Sequence, residues 1–339
     1  MTKSRIGFVD VARGIAMISI ILGHMKIGEV NAVVYTYHVP VFLLITGYFI
    51  SRKDSIGKFS LKRLRTTMIP YLFTSVVMIG ITALQHLTDG RAGDKAVQML
   101  SAAAYGSGNI YNEPFRIESI GPIWFLPAIC IAAILFRLIL ELPEKLRPVL
   151  VGACFAAGYL TTKYIYWFPI SVQAGFCSVL FLYVGWLFRQ NEEQVTGTGK
   201  ELKFAAALAG VWIWYSFIRN YEGFYVVRSF YGRGVIDIFC SLCACGVVLL
   251  ISWAIDRWTK ITSGLLRFAG RYSLLVLCVH AVEQNLFKWY DILDQYIYVP
   301  AATYNWIMVF FRPAFALFFT WLLLKLPFIR AIFGYNRKS

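Results

Sequence analysis

The chain has 339 residues, of which 58% are hydrophobic and only 15% charged, with a mean hydropathy of +0.62. A composition this apolar excludes an ordinary soluble domain and points to an integral membrane protein. The formal net charge of +15 is spread between apolar segments and forms no basic helix or aromatic-interleaved patch, so it argues against a nucleic-acid partner and for membrane topology.

Apolar runs of membrane-spanning length are expected at 8–28, 33–50, 67–86, 120–140, 149–162, 169–188, 203–218, 234–255, 272–289 and 303–324. They define an all-α polytopic membrane protein of about ten transmembrane helices, a single domain over 1–339 with no soluble extra domain. Lys3 and Arg5 lead straight into the first run without a small-residue cleavage site, so that helix is expected to be retained. With the N-terminus inside, the cytoplasmic segments hold 23 Lys and Arg against 9 on the other side, and Arg312 falls within a span. That bias places both termini in the cytoplasm.

The first two spans carry Asp10, Arg13, His24 and His38. Ionisable side chains in a membrane segment are costly and normally face a cavity, a partner or a substrate. Arg13 and His24 are eleven residues apart, about three helical turns, and Asp10 falls on nearly the same stripe. Histidine is the usual general base near neutral pH, so His24 is the first candidate for chemistry. His38 opens the second span and is expected near the same outer end of the hairpin.

The next inside loop holds the densest basic cluster, Arg52, Lys53, Lys58, Lys62, Arg63 and Arg65, suited to anionic lipid or to a phosphorylated cytosolic ligand. The longest outside segment, 87–119, is expected to be a lid or binding loop. Arg116 and Glu118, just before Gly121-Pro122-Ile123-Trp124, are candidates to line its mouth and bind acceptor hydroxyls. Glu192 to Lys203 reads as a flexible linker. Cys240, Cys243 and Cys245 look metal-like in spacing, but they lie in an apolar run without a nearby histidine, and packing is the expectation; no metal is called for. Further along, Asp237 starts a span, His280 and Glu283 form an i,i+3 pair, and Arg312 lies mid-span. An Arg312 ion pair with Glu283 or Asp237 is expected to be structural.

Several of these stretches together resemble the membrane acyltransferase family 3, which includes sugar O-acetyltransferases. They are Asp10-Val-Ala-Arg13-Gly14 with His24, then His38-Val-Pro40-Val-Phe42 running into Thr46-Gly47-Tyr48-Phe49. Lys62-Arg63-Leu-Arg65 before Pro70-Tyr71, Trp124-Phe125-Leu126, and Gly270-Arg271-Tyr272-Ser273-Leu274 with His280 follow in order. Thr46 stands where a serine is usual, and Leu277-Cys278-Val279 where a tyrosine-containing segment is common. The resemblance implies transfer of an acyl group, with acetyl expected, from cytosolic acyl-CoA to a hydroxyl of a cell-surface or lipid-linked carbohydrate. It implies His24 as catalytic base with Asp10 and Arg13 beside it. Arg13, Lys62, Arg63 and Arg65 are then the donor-binding candidates, and His38, Arg116, Glu118, Trp124, His280 and Glu283 the acceptor-binding ones. Expected partners are acyl-CoA (acetyl-CoA as co-substrate), a carbohydrate or glycolipid acceptor and membrane lipid, in a bacterial cytoplasmic membrane. The alternative is a polytopic transporter of sugar, lipid or acyl substrate that uses the charged stripe as a proton relay.

Overall fold

The computed structural model describes residues 6–25, 27–287, 289–294 and 300–335. Lys3, Arg5, Lys26, Lys288, Arg337 and Lys338, which enter the charge tally, lie outside them. The helices are α1 (Gly7–Gly23), α2 (Gly28–Val34), α3 (His38–Phe49), α4 (Ile56–Gln85), α5 (Ala92–Tyr105), α6 (Phe125–Ile139), α7 (Arg147–Tyr164) and α8 (Val172–Gln190). They continue with α9 (Glu192–Gly197), α10 (Lys200–Arg219), α11 (Val235–Trp258), α12 (Lys260–Arg271), α13 (Ser273–Leu286), α14 (Trp289–Asp294), α15 (Ala301–Leu323) and α16 (Pro327–Ile332). The described residues form no β-strand beyond two isolated bridges, and they divide into two compact units.

The first unit contains α1 to α3, the second half of α8, and α9 to α12. Its core is Val9, Ala12 and Ala16 of α1 against Tyr37, Val41 and Ile45 and against Ala244, Cys245 and Val248 of α11. Small residues at helical spacing let these backbones approach closely, which is how helices associate where lipid removes the hydrophobic drive. Two crossings take this to its limit. At the first, a Cβ on Gly14 would overlap the Leu266 carbonyl and one on Gly270 would overlap the Asp10 carbonyl. At the second, Gly47 meets the Leu182 carbonyl and Gly185 the Leu44 carbonyl in the same reciprocal way. Polar ties add register: Tyr37 shares a 2.7 Å hydrogen bond with Ser19, Trp214 donates to Thr36 Oγ1 at 2.9 Å, and Ser241 donates to the Thr36 carbonyl at 2.6 Å.

The second unit contains α4 to α7, the first half of α8, and α13 to α16. Helix α4 buries Thr67, Tyr71, Thr74, Ser75, Met78 and Thr82 at helical spacing while Ile69, Leu72 and Val76 stay exposed. An apolar outer face of this kind is what a helix shows to lipid. The start of α4 is capped by Ser55, and the helix begins about three turns before the expected span 67–86, so Lys58, Lys62, Arg63 and Arg65 stand on a helix rather than in a loop. The long segment 87–119 is likewise corrected: it contains α5, which buries Met99, Ala102 and Ala103 and accepts the Tyr71 hydroxyl at the Ala103 carbonyl. In the first unit the expected linker 192–203 begins with the short helix α9.

Seven helices among the described residues are long and apolar enough to cross a membrane, or eight if α12 and α13 act together. This is fewer than the ten expected. Helix α1 has only 17 residues, and α7 is diluted by Arg147, Lys163 and two threonines.

Candidate functional site

Helix α1 ends at Gly23, earlier than the run 8–28 suggests, and His24 is its C-terminal cap. Four carbonyls at a helix end lack intrahelical partners. Here each one finds a donor. The His24 ring bonds the Ile20 carbonyl through Nδ1 at 2.7 Å, and the His24 amide bonds Ile21 at 3.3 Å. The Met25 amide bonds Leu22 at 3.0 Å, and the Tyr35 hydroxyl bonds Gly23 at 3.3 Å. A carbonyl only accepts, so Nδ1 of His24 carries the hydrogen, and in the neutral form of the ring the lone pair belongs to Nε2.

His38 repeats this arrangement. Its Nδ1 donates to the Val34 carbonyl at 2.6 Å, and its ring meets the Tyr35 ring edge-on at 4.9 Å. Tyr35 also contacts Tyr225 edge-on at 5.2 Å. One tyrosine therefore links the end of α1, the start of α3 and the loop before α11. His38 itself is 6% exposed. At the other end of α1, Asp10 is buried in the first turn with its carbonyl against Gly270, and Arg13, half-buried, follows one turn later. Close by, Asp256 and Arg267 form a 2.6 Å ion pair beside Gly7.

The α4 cations divide into two sets. Lys58, Lys62 and Arg65 fall on one exposed face at i, i+4 and i+7, whereas Arg63 is half-buried with its guanidinium 5.4 Å from the Phe59 ring centre. Arg116 and Glu118 pair with each other at 2.8 Å on the short bridge between Tyr111 and Ile117. Trp124 is buried at the end of a 3-10 turn, packed over Gly108 and edge-on to Phe125.

His280 and Glu283 belong to a closed ion network. Both Glu283 oxygens receive the Arg312 guanidinium at 3.0 Å, Trp289 donates to Oε1, and His280 Nδ1 bonds Oε2 at 2.9 Å. His280 is 0% and Glu283 2% exposed, and both were acceptor-binding candidates; the structure places them within this buried network. Of the two acids considered for Arg312, Glu283 is the partner; Asp237 is buried with Arg233, which donates to it at 2.7 Å. The cysteines are free thiols, and among the described residues no cluster of three His, Cys, Asp or Glu is arranged to hold a metal.

Sequence reasoning missed Tyr35, the buried Arg137 and Tyr48. Tyr35 sits three residues before His38, a spacing that faces it on a helical turn, and this was the available signal. Tyr48 donates to Glu192 at 2.8 Å across 144 residues, for which no local signal exists.

An all-helical, multi-pass chain with a histidine base candidate at the end of its first helix defines a class of membrane-embedded transferase or transporter. A family model described as an acyltransferase domain matches residues 6–329, and the chain belongs to acyltransferase family 3. It is a membrane acyltransferase. No curated protein and no solved structure gives a match to this chain.

Proposed function

We propose that this acyltransferase moves an acyl group, acetyl in the simplest case, from cytosolic acyl-CoA to a hydroxyl of a cell-surface or lipid-linked carbohydrate, with His24 as general base. The observation that carries the reading is the Nδ1 bond of His24 to Ile20, which leaves Nε2 as the basic nitrogen. In the proposed reaction Nε2 takes the proton of the acceptor hydroxyl as its oxygen attacks the thioester carbonyl. The tetrahedral intermediate then collapses, the C–S bond breaks, and the imidazolium returns the proton to the departing CoA thiolate. Tyr35 holds the end of α1, and so the approach to the His24 ring, through its bond to Gly23.

Lys62 and Arg65 are the exposed cations of the second unit that we assign to the donor phosphates, with Arg63 in support, and Arg13 of the first unit is a separate donor-binding candidate; paired oxygens suit the guanidinium fork. Asp10 is assigned a positioning role in the first turn of α1, since at 1.5 Å per residue it stands about 21 Å along the helix from His24. Exposed Arg116 and half-buried Glu118 remain the acceptor-side proposal, and the bacterial cytoplasmic membrane the proposed location.

The test is His24→Asn in purified protein given acyl-CoA and a carbohydrate acceptor. Asparagine keeps a donor for the Ile20 carbonyl but supplies no base. Transfer should fall about 10²- to 10⁴-fold, the usual weight of a general base, with the fold retained. Retained turnover would remove His24 from the chemistry. Transport of the sugar across a liposome without consumption of acyl-CoA would instead favour the transporter alternative.

A further inference from the structure

The second unit contains an apolar slot of about 410 Å³ between α4, α13, α15 and the α16 segment, a volume in the range of ligand sites. Val77, Val279, Val282, Phe315 and Phe319 are typical of its walls, and none of them belongs to the proposed reaction site. Among the described residues Glu283 is its only charged lining residue, and that carboxylate is already bound by Arg312, Trp289 and His280. An uncompensated charge would call for a polar ligand; a satisfied one leaves a neutral, hydrocarbon-like interior.

Two further observations say what fits. Along α13 the lining runs from Leu275 to Leu286, eleven residues or about 16 Å, close to the roughly 15 Å depth of one leaflet of a 30 Å hydrocarbon core. At the end where α15 gives way to α16, the slot is lined by Leu323, Phe328 and Ile329, with Phe328 exposed, and two cations neighbour these residues in the chain. Lys325 is exposed with its ammonium 3.6 Å from the Trp321 ring centre, and Arg330 follows Ile329. Trp beside Lys is the residue pair of a membrane–water interface.

The geometry points to a bound lipid: the slot takes one acyl chain of an anionic membrane phospholipid, and Lys325 and Arg330 hold its phosphate. A leaflet-length apolar slot with cations at one end complements that amphiphile in both shape and charge. This inference is independent of the donor and acceptor proposed above.

The test is native mass spectrometry of the full chain, titrated with phosphatidylglycerol or phosphatidylcholine of equal chain length. One phosphatidylglycerol per chain should be retained at concentrations where phosphatidylcholine is not. Lys325→Ala with Arg330→Ala should weaken its binding about thirtyfold, since each interfacial cation contributes on the order of 1 kcal/mol. Val282→Phe, which fills the slot, should remove the retained lipid with the thermal midpoint unchanged; Leu286→Phe at the exposed end repeats the test if that variant does not fold. Equal retention of both lipids, or full retention in both slot-filling variants, would overturn the proposal. So would displacement of the lipid by long-chain acyl-CoA that is insensitive to the double alanine change, which would assign the slot to a donor's chain.

Discussion

Arg312→Met should destabilise the protein by about 3 kcal/mol. Arg312 is 8% and Glu283 2% exposed, and two 3.0 Å bonds join them. Removing one partner of a buried pair costs about 3–5 kcal/mol, because the other charge is left uncompensated. Glu283 would keep its bonds from Trp289 and His280, which places the expected cost at the lower end of that range. Methionine fills most of the vacated volume, so the loss reads the charge rather than a cavity. Adding Glu283→Gln should recover roughly 2 kcal/mol, since the amide retains an acceptor and carries no charge. The assay is equilibrium unfolding of the purified variants in mixed micelles, arranged as a double-mutant cycle. A single Arg312→Met change within about 0.5 kcal/mol of wild type would refute the argument, as would two changes that simply add.

At the α3–α8 crossing, Gly47→Ala or Gly185→Ala should each cost on the order of 1–3 kcal/mol, because the new methyl meets a carbonyl rather than a movable side chain; thermal midpoints check this, and the double change should cost less than the sum. The Glu141 carboxyl is held below the usual carboxylate range by the Arg137 guanidinium that bonds it, with Arg52 3.4 Å away. Its contribution to stability is therefore complete above the unfolded value of about 4.3 and is lost as pH falls through the lower folded value. Glu141→Gln should flatten that acid limb in a pH series of unfolding midpoints. Lys62→Ala with Arg65→Ala should raise KM for acyl-CoA about thirtyfold with little change in kcat, measured by steady-state kinetics with varied donor.

The helical, membrane-spanning character of the chain was legible because long apolar runs admit few other structures. The family was legible from motifs held in order. Boundaries were not: the run 8–28 does not reveal that His24 stops α1, because nothing in its apolarity marks where the last carbonyls find outside donors. Helix α4 hid behind its charges, since Lys58, Lys62 and Arg65 read as a loop until their i, i+4, i+7 spacing is seen to continue the helix. The Arg312 choice between Glu283 and Asp237 was undecidable in one dimension. Only Arg233, four residues before Asp237, hinted that this acid already had a partner.

His24 is also the stop signal of its own helix. Two asparagines elsewhere in the chain show what that part of its job requires: Asn191 and Asn220 each follow a helix and donate to the carbonyl four residues back at 2.8 Å. Under the proposed mechanism the side chain at position 24 has two separable duties, one met by any short planar donor and one met only by a ring that can take up a proton. An alanine there removes both duties together, and a dead His24→Ala enzyme would speak as much for a frayed helix end as for a missing base. Asparagine divides them, because it asks the helix to end where it does now while withdrawing the lone pair.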